Sequence, residues 1–184
     1  MNASFTLTLT LVVALLVHVA LKFWLNARQV RHVALYRSAV PLAYARTVSL
    51  SDHQKAADYT LAKARLSQLD IALDEAVLLG WTLLGGLDAL NQLLLAWIGP
   101  GMLHQVGLVL GFTFVGGLIG LPLSLMQTFG VEQRFGFNKI TPTLWLTDSL
   151  KGLVLGLALG TPLLWVVLWL MQAGGDRWWL WAWL

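Results

Sequence analysis

Polar and apolar positions along the chain sort into long blocks. Phe5–Leu21 carries no charge and Lys22 follows it, about the shortest run that crosses a ~30 Å hydrocarbon core as a helix. The pattern predicts a first membrane helix over about 5–25. A cleaved leader fits less well, since no basic residue precedes Phe5 and no small-x-small site precedes Lys22. Asn26 to Tyr44 keeps a helical period, with Val30, Val33, Ala34 and Val40 on an apolar face, and Pro41 is expected to end or kink it. Ser51 with Gln54 has the form of a capping box, and no Gly or Pro follows until Gly80. Residues 52–98 therefore predict one helix of ~47 residues, about 70 Å long. Its charged half before Leu69 belongs in water and its Ala76–Ile98 half in the membrane. Gly99-Pro100-Gly101 is a turn that ends it.

The pattern continues with a third crossing over about 105–126, uncharged, with Pro122 near its far end. A short polar loop, Gln127–Lys139, follows, and Thr141-Pro142-Thr143 suits the start of a new element. The fourth crossing, about 149–171, contains Pro162, where a kink is expected. Trp178–Leu184 (WWLWAWL) opens a fifth apolar run over 178–184. Seven helical residues reach only ~10 Å, so this run either lies in the interface or begins a longer crossing. The expected fold is all-α: a polytopic membrane protein with four transmembrane helices, the start of a fifth, and a long cytoplasmic helical extension before the second.

Composition agrees. Of 184 residues 58% are hydrophobic and 11% charged, and the mean hydropathy is +0.71, too few charges to coat a soluble globule of this size. Ten tryptophans suit the boundary between hydrocarbon and headgroups. The absence of Cys excludes disulfides and thiolate metal sites.

Charge sets the expected orientation. Eleven of the twelve Lys and Arg residues fall on one side, in or beside residues 26–69 and 127–148, and only Arg177 falls on the other. The positive-inside rule makes those two loops cytoplasmic and places the N-terminus outside. A nucleic-acid partner is not expected, because such a module would gather basic residues on one surface with base-stacking aromatics, whereas here the aromatics collect at crossing ends (Trp24 and Trp145 inside, Trp97 and Trp169 outside). Anionic lipid is a compatible contact for the basic loops.

At 100° per residue Asp70, Asp74, Trp81, Gly85, Asp88 and Gln92 all fall within roughly 60° of one another on the predicted second helix, forming one polar stripe. A carboxylate at membrane depth costs about 2.5 to 3.5 kcal/mol and usually faces water or a partner. Asp88, with Gln92, is thus the first functional candidate; the alternative is that Asp88 bonds to a neighbouring helix and serves assembly alone. Asp70 and Asp74 are expected at the solvated end. Gly116-x-x-x-Gly120 and Gly152, Gly156 and Gly160 have the spacing of close helix packing. No pair among His18, His32, His53 and His104 has the i, i+4 spacing of zinc ligands on a helix; His53 and Asp52 could be joined by His32 in space, but surface histidines are expected.

Two stretches carry a resemblance. Phe129-x-Val131-Glu132-x-x-x-Gly136-Phe137-Asn138-Lys139 resembles the loop between membrane helices of type I CAAX prenyl proteases, and His53–Arg65 (HQKAADYTLAKAR) resembles the segment before the second membrane helix of bacterial-type members. The resemblance implies the single N-terminal membrane domain, over 1–184, of a zinc metalloendopeptidase whose membrane helices enclose a water-filled chamber. The zinc motif HExxH of such enzymes lies further downstream and does not occur here, so no metal or other cofactor is expected on this chain, while zinc is expected in the full-length enzyme. Expected partners are the lipid bilayer, the C-terminal metallopeptidase part and a peptide or membrane-protein substrate; the expected location is a bacterial inner membrane. Asp88 and Gln92 are candidates for the chamber wall. Glu132, Arg134, Asn138 and Lys139 are candidates for docking, with ion pairing among Glu132, Arg134 and Lys139 as one mode. No residue of the chain is expected to be catalytic. A non-catalytic membrane scaffold is the alternative function, and a small transporter fits less well, since no inverted repeat is visible.

Overall fold

The computed structural model describes residues 3–175 and 178–183. The chain is an all-α polytopic membrane protein, and no strand occurs among the described residues. Its helices are α1 (Ala3–Tyr36), α2 (Leu50–Thr82), α3 (Gly86–Ile98), α4 (Met102–Leu125), α5 (Pro142–Gly174) and α6 (Trp178–Trp183), with a π-helical turn, Met126–Glu132, continuing α4. Three described helices are long and apolar enough to cross a membrane, Phe5–Tyr36, Met102–Glu132 and Pro142–Gly174. The bent pair α2 and α3 makes a fourth if counted as one span. Arg177, the basic residue assigned to the opposite side, lies outside the described residues.

The chain divides into two compact units, Met1–Gly80 with Leu121–Asn138 and Trp81–Gly120 with Lys139–Leu184. In the first, α1 and α2 form an antiparallel hairpin. His18 meets Glu75, Asn26 meets Ala64 and Arg37 meets Asp58, so residues further along α1 meet residues earlier in α2. Ala57, Ala64 and Ile71 are buried at seven-residue intervals on α2, which places them on one face, and the two alanines allow close approach.

Helix boundaries differ from the sequence reading in three places. α1 stops at Tyr36, before Pro41, and a run of turns follows in which Tyr44 N–H donates to the Pro41 carbonyl at 2.8 Å. The cap of α2 is Ser49 rather than Ser51: its hydroxyl accepts from Asp52 N–H at 3.1 Å, the bond of an N-cap, and donates to the Asp52 carboxylate at 2.6 Å. The single helix over 52–98 is interrupted at Leu83–Gly85. Gly85 sits at φ 79°, ψ 14°, a left-handed conformation that costs other residues about 1–2 kcal/mol. Nothing lies within 4 Å of a Cβ built there, so the backbone angle, not space, selects glycine.

In the second unit α3 and α4 join through the expected Gly99–Gly101 turn and pack closely. A Cβ on Gly111 would lie 3.5 Å from Leu90, and one on Gly107 3.8 Å from Leu94 and Ile98; Trp81 and Phe112 rings meet at 5.1 Å. Gln172 of α5 donates to Gln105 of α4 at 3.3 Å. The glycines singled out for packing behave otherwise: nothing lies within 4 Å of a Cβ on Gly116, Gly120, Gly152, Gly156 or Gly160. Thr141 caps α5, accepting from Leu144 N–H at 3.2 Å with Pro142 in the first turn.

Candidate functional site

The first unit brings the two motif stretches together. α4 does not give way to a loop at Gln127; it widens into the π-helical turn, whose last residue is Glu132, and π turns inside helices recur at functional positions. The helix then ends in a Schellman motif: Gly136 N–H donates to Gln133 C=O at 3.1 Å and Phe137 N–H to Glu132 C=O at 2.9 Å, with Gly136 at φ 78°. That end turns Phe135 and Phe137 toward α2, where both rings meet Tyr59, at 5.4 and 4.7 Å between centroids. Tyr59 lies within His53–Arg65, and the Lys63 ammonium stands 5.5 Å from the centre of its ring.

One residue from Tyr59, Asp58 takes a forked bond from Arg37, Nε to Oδ1 at 2.7 Å and an NH2-group nitrogen to Oδ2 at 2.8 Å. This bond, with smaller electrostatic contributions from Arg37 and Arg134, holds the Asp58 carboxyl below its ordinary range and raises Arg37. The turn after α1, the start of α2 and the end of α4 are thus tied at one place by two rings, a third ring between them and one ion pair.

The loop candidates fall in this clasp in unequal ways. Glu132 is half-buried, its carbonyl accepting from Phe137 and Asn138 N–H and its carboxylate from Gln127 at 3.4 Å. Arg134 is exposed, its guanidinium 5.7 Å from the ring of Phe135. Asn138 is half-buried and Lys139 exposed. Ion pairing among Glu132, Arg134 and Lys139 does not occur among the described residues: the Glu132 carboxylate meets the Gln127 amide instead.

Asp88 and Gln92 sit on α3, both exposed, Gln92 donating to Asp88 at 3.5 Å one turn apart. The helix is interrupted at Leu83–Gly85, so these two residues do not lie on one unbroken helix with Asp70, Asp74 and Trp81. The buried carboxylate is Glu75 instead. It is 9% exposed, its Oε1 is 3.3 Å from His18 Nε2, and its Oε2 is buried without a partner. The sequence carries a signal for it: Glu75 continues the Ala57, Ala64, Ile71 face by one helical turn, whereas the polar stripe relates polar residues only to one another.

His32 and His53 line a cavity of about 420 Å³ with Tyr36 and Pro41, and His53 Nε2 is 2.9 Å from the Tyr36 carbonyl oxygen. Among the described residues no three His, Asp or Glu side chains come together to hold a metal ion. The donor set present does not fit a catalytic zinc.

A family model described as the CAAX prenyl protease N-terminal part, with five membrane helices, matches residues 29–184. The chain is 28% identical over 169 residues to the CAAX prenyl protease 1 homolog of Arabidopsis thaliana, covering 83% of this chain and 37% of that protein. To CAAX prenyl protease 1 of Saccharomyces cerevisiae it is 49% identical over 51 residues, 28% of this chain and 11% of the relative. The crystal structure of S. mikatae Ste24p is similar in fold, with a TM-score of 0.82 at 22% identity, over 89% of this chain and 39% of that one. The chain thus spans little more than a third of the length of such relatives.

Proposed function

Because the chain belongs to the CAAX prenyl protease family, as its N-terminal membrane part, we propose that it supplies chamber wall and substrate positioning to a zinc endopeptidase. The reacting groups would lie in sequence beyond this part, and no chemical step is assigned to these residues. The observation that carries the reading is the clasp, in which Tyr59 of one family stretch holds Phe135 and Phe137 of the other. A docked loop has a fixed surface, and Glu132, Arg134, Asn138 and Lys139 offer on it the charge and amide groups that orient a peptide or a neighbouring domain. Asp88 and Gln92, exposed on a predominantly apolar helix that also carries Asn91, suit a wall facing enclosed water. The proposed orientation has residues 26–69 and 127–148 cytoplasmic and the N-terminus outside, in a cell membrane. Substrates are proposed as peptides or membrane proteins.

A chimaera tests this. Residues 1–184 joined to the downstream part of the S. cerevisiae relative should cleave a peptide substrate in a chelator-sensitive way, and residues 1–184 alone should not. A folded chimaera without cleavage, or chelator-sensitive cleavage by the isolated part, would contradict the assignment.

A further inference from the structure

Val13, Val17, Leu21, Trp24, Arg28 and Arg31 follow one another along α1 at three- and four-residue spacing, so they share one face within about 80° of arc. All six are exposed, the apolar members by half or more. From its N-terminal end the face offers a hydrocarbon-facing stripe, then an indole, then two guanidiniums. That order matches a phospholipid lying along the helix: acyl chain, ester and glycerol zone, phosphate.

The polar end of the face is hollow. A recess of about 430 Å³ is lined by Trp24, Ala27, Arg28 and Arg31. The Arg28 guanidinium lies 5.7 Å from the centre of the Trp24 ring, a stacking contact that restrains the side chain while leaving its N–H edge available to oxygen acceptors. Neither Arg28 nor Arg31 has an ion-pair partner among the described residues.

The neighbouring helix does not neutralise them. Asn26 Nδ2 donates to the Ala64 carbonyl at 3.1 Å, which sets this level of α1 beside the middle of α2. There residues 59–69 contain Lys63 and Arg65 and no Asp or Glu. Of the acids that flank this stretch, Asp58 is committed to Arg37, and Asp70 falls between the levels set by His18–Glu75 and Asn26–Ala64, nearer Lys22 than Arg28 or Arg31. Positive charge without local compensation therefore sits at the foot of an apolar stripe, and the charge and the stripe together select the occupant. An acidic peptide would satisfy the arginines but has no use for exposed Val13, Val17 and Leu21; a zwitterionic lipid would use the stripe but meet the arginines with a cation of its own.

We propose that this face of α1 binds one anionic phospholipid, its phosphate between Arg28 and Arg31 and an acyl chain along Leu21, Val17 and Val13. The proposal is independent of the proteolytic reading, since it requires only that α1 enter a bilayer.

Native mass spectrometry of the full chain, released from micelles holding equal amounts of phosphatidylglycerol and phosphatidylcholine with the same acyl chains, reads this directly. Each interfacial arginine is worth roughly a fivefold preference for the anionic lipid, so the pair should favour phosphatidylglycerol by more than ~10-fold. Arg28→Gln with Arg31→Gln should bring the preference close to unity with helicity unchanged by circular dichroism. Arg28→Lys with Arg31→Lys keeps the charge and loses the fork, and should retain a reduced preference. Equal uptake of the two lipids by the native chain would overturn the proposal without recourse to any variant. So would an undiminished preference in the folded glutamine variant, or displacement of phosphatidylglycerol by a polyglutamate peptide.

Discussion

His18→Leu, with Glu75 left in place, should destabilise the α1–α2 hairpin by about 2–3 kcal/mol, read as an earlier midpoint in SDS-induced unfolding from lipid-detergent micelles. Glu75 is nine-tenths buried on the face of α2 that meets α1. His18 Nε2 is the group next to its Oε1, and Oε2 has no partner. Removing the imidazole leaves a carboxyl group with no donor in a place water does not reach freely. Breaking a buried pair from one side costs about 3–5 kcal/mol; the lower figure here reflects a His18 side chain that is 51% exposed. The double change His18→Leu with Glu75→Leu should recover most of the loss, since two apolar groups of similar volume replace a desolvated pair. A double variant as unstable as the sum of the two single changes would show that the pair is not coupled.

Tyr59→Ala should release the end of α4. The ring makes two aromatic contacts worth about 0.5–1.5 kcal/mol each beyond burial, and the alanine variant loses both together with the packing of Phe135 and Phe137. A local loss of about 2 kcal/mol corresponds to roughly 30-fold more of the open state. Hydrogen exchange at the Phe137 amide, which donates to Glu132, should accelerate by that order, and trypsin should cut sooner after Arg134 and Lys139. Tyr59→Phe should change little, because both contacts are made by the ring. Equal protection of residues 133–138 in Tyr59→Ala and the native chain would mean that the Schellman turn alone holds this end.

What was legible in the sequence follows from which signals are local. The apolar runs, the Thr141-Pro142 helix start and the Gly99–Gly101 turn are set by residues adjacent in the chain, and each is where the residue types place it. The break at Gly85 was invisible to periodicity, because glycine occurs in membrane helices without breaking them, and Gly80 in the same helix does not break it. Asp88 drew attention as a lone carboxylate in an apolar run, but burial depends on which face meets a neighbour. Glu75 occupies that face; its spacing from Ala57, Ala64 and Ile71 is local, but that α1 covers this face is tertiary. Tyr59 is likewise ordinary until Phe135 and Phe137, more than seventy residues away, close on it. Both family stretches were recognisable separately, while the contact that joins them is tertiary.

In the proposed topology the apolar helices cross a lipid layer with the basic loops together on its cytoplasmic side. The chain contains no Cys, so single cysteines introduced at the exposed positions Ser51, Lys139 and Pro100 report side without background. A membrane-impermeant maleimide should label Pro100→Cys in intact cells, and should label Ser51→Cys and Lys139→Cys only after permeabilisation. Labelling of Ser51→Cys or Lys139→Cys in intact cells, or a split between those two, would contradict the account.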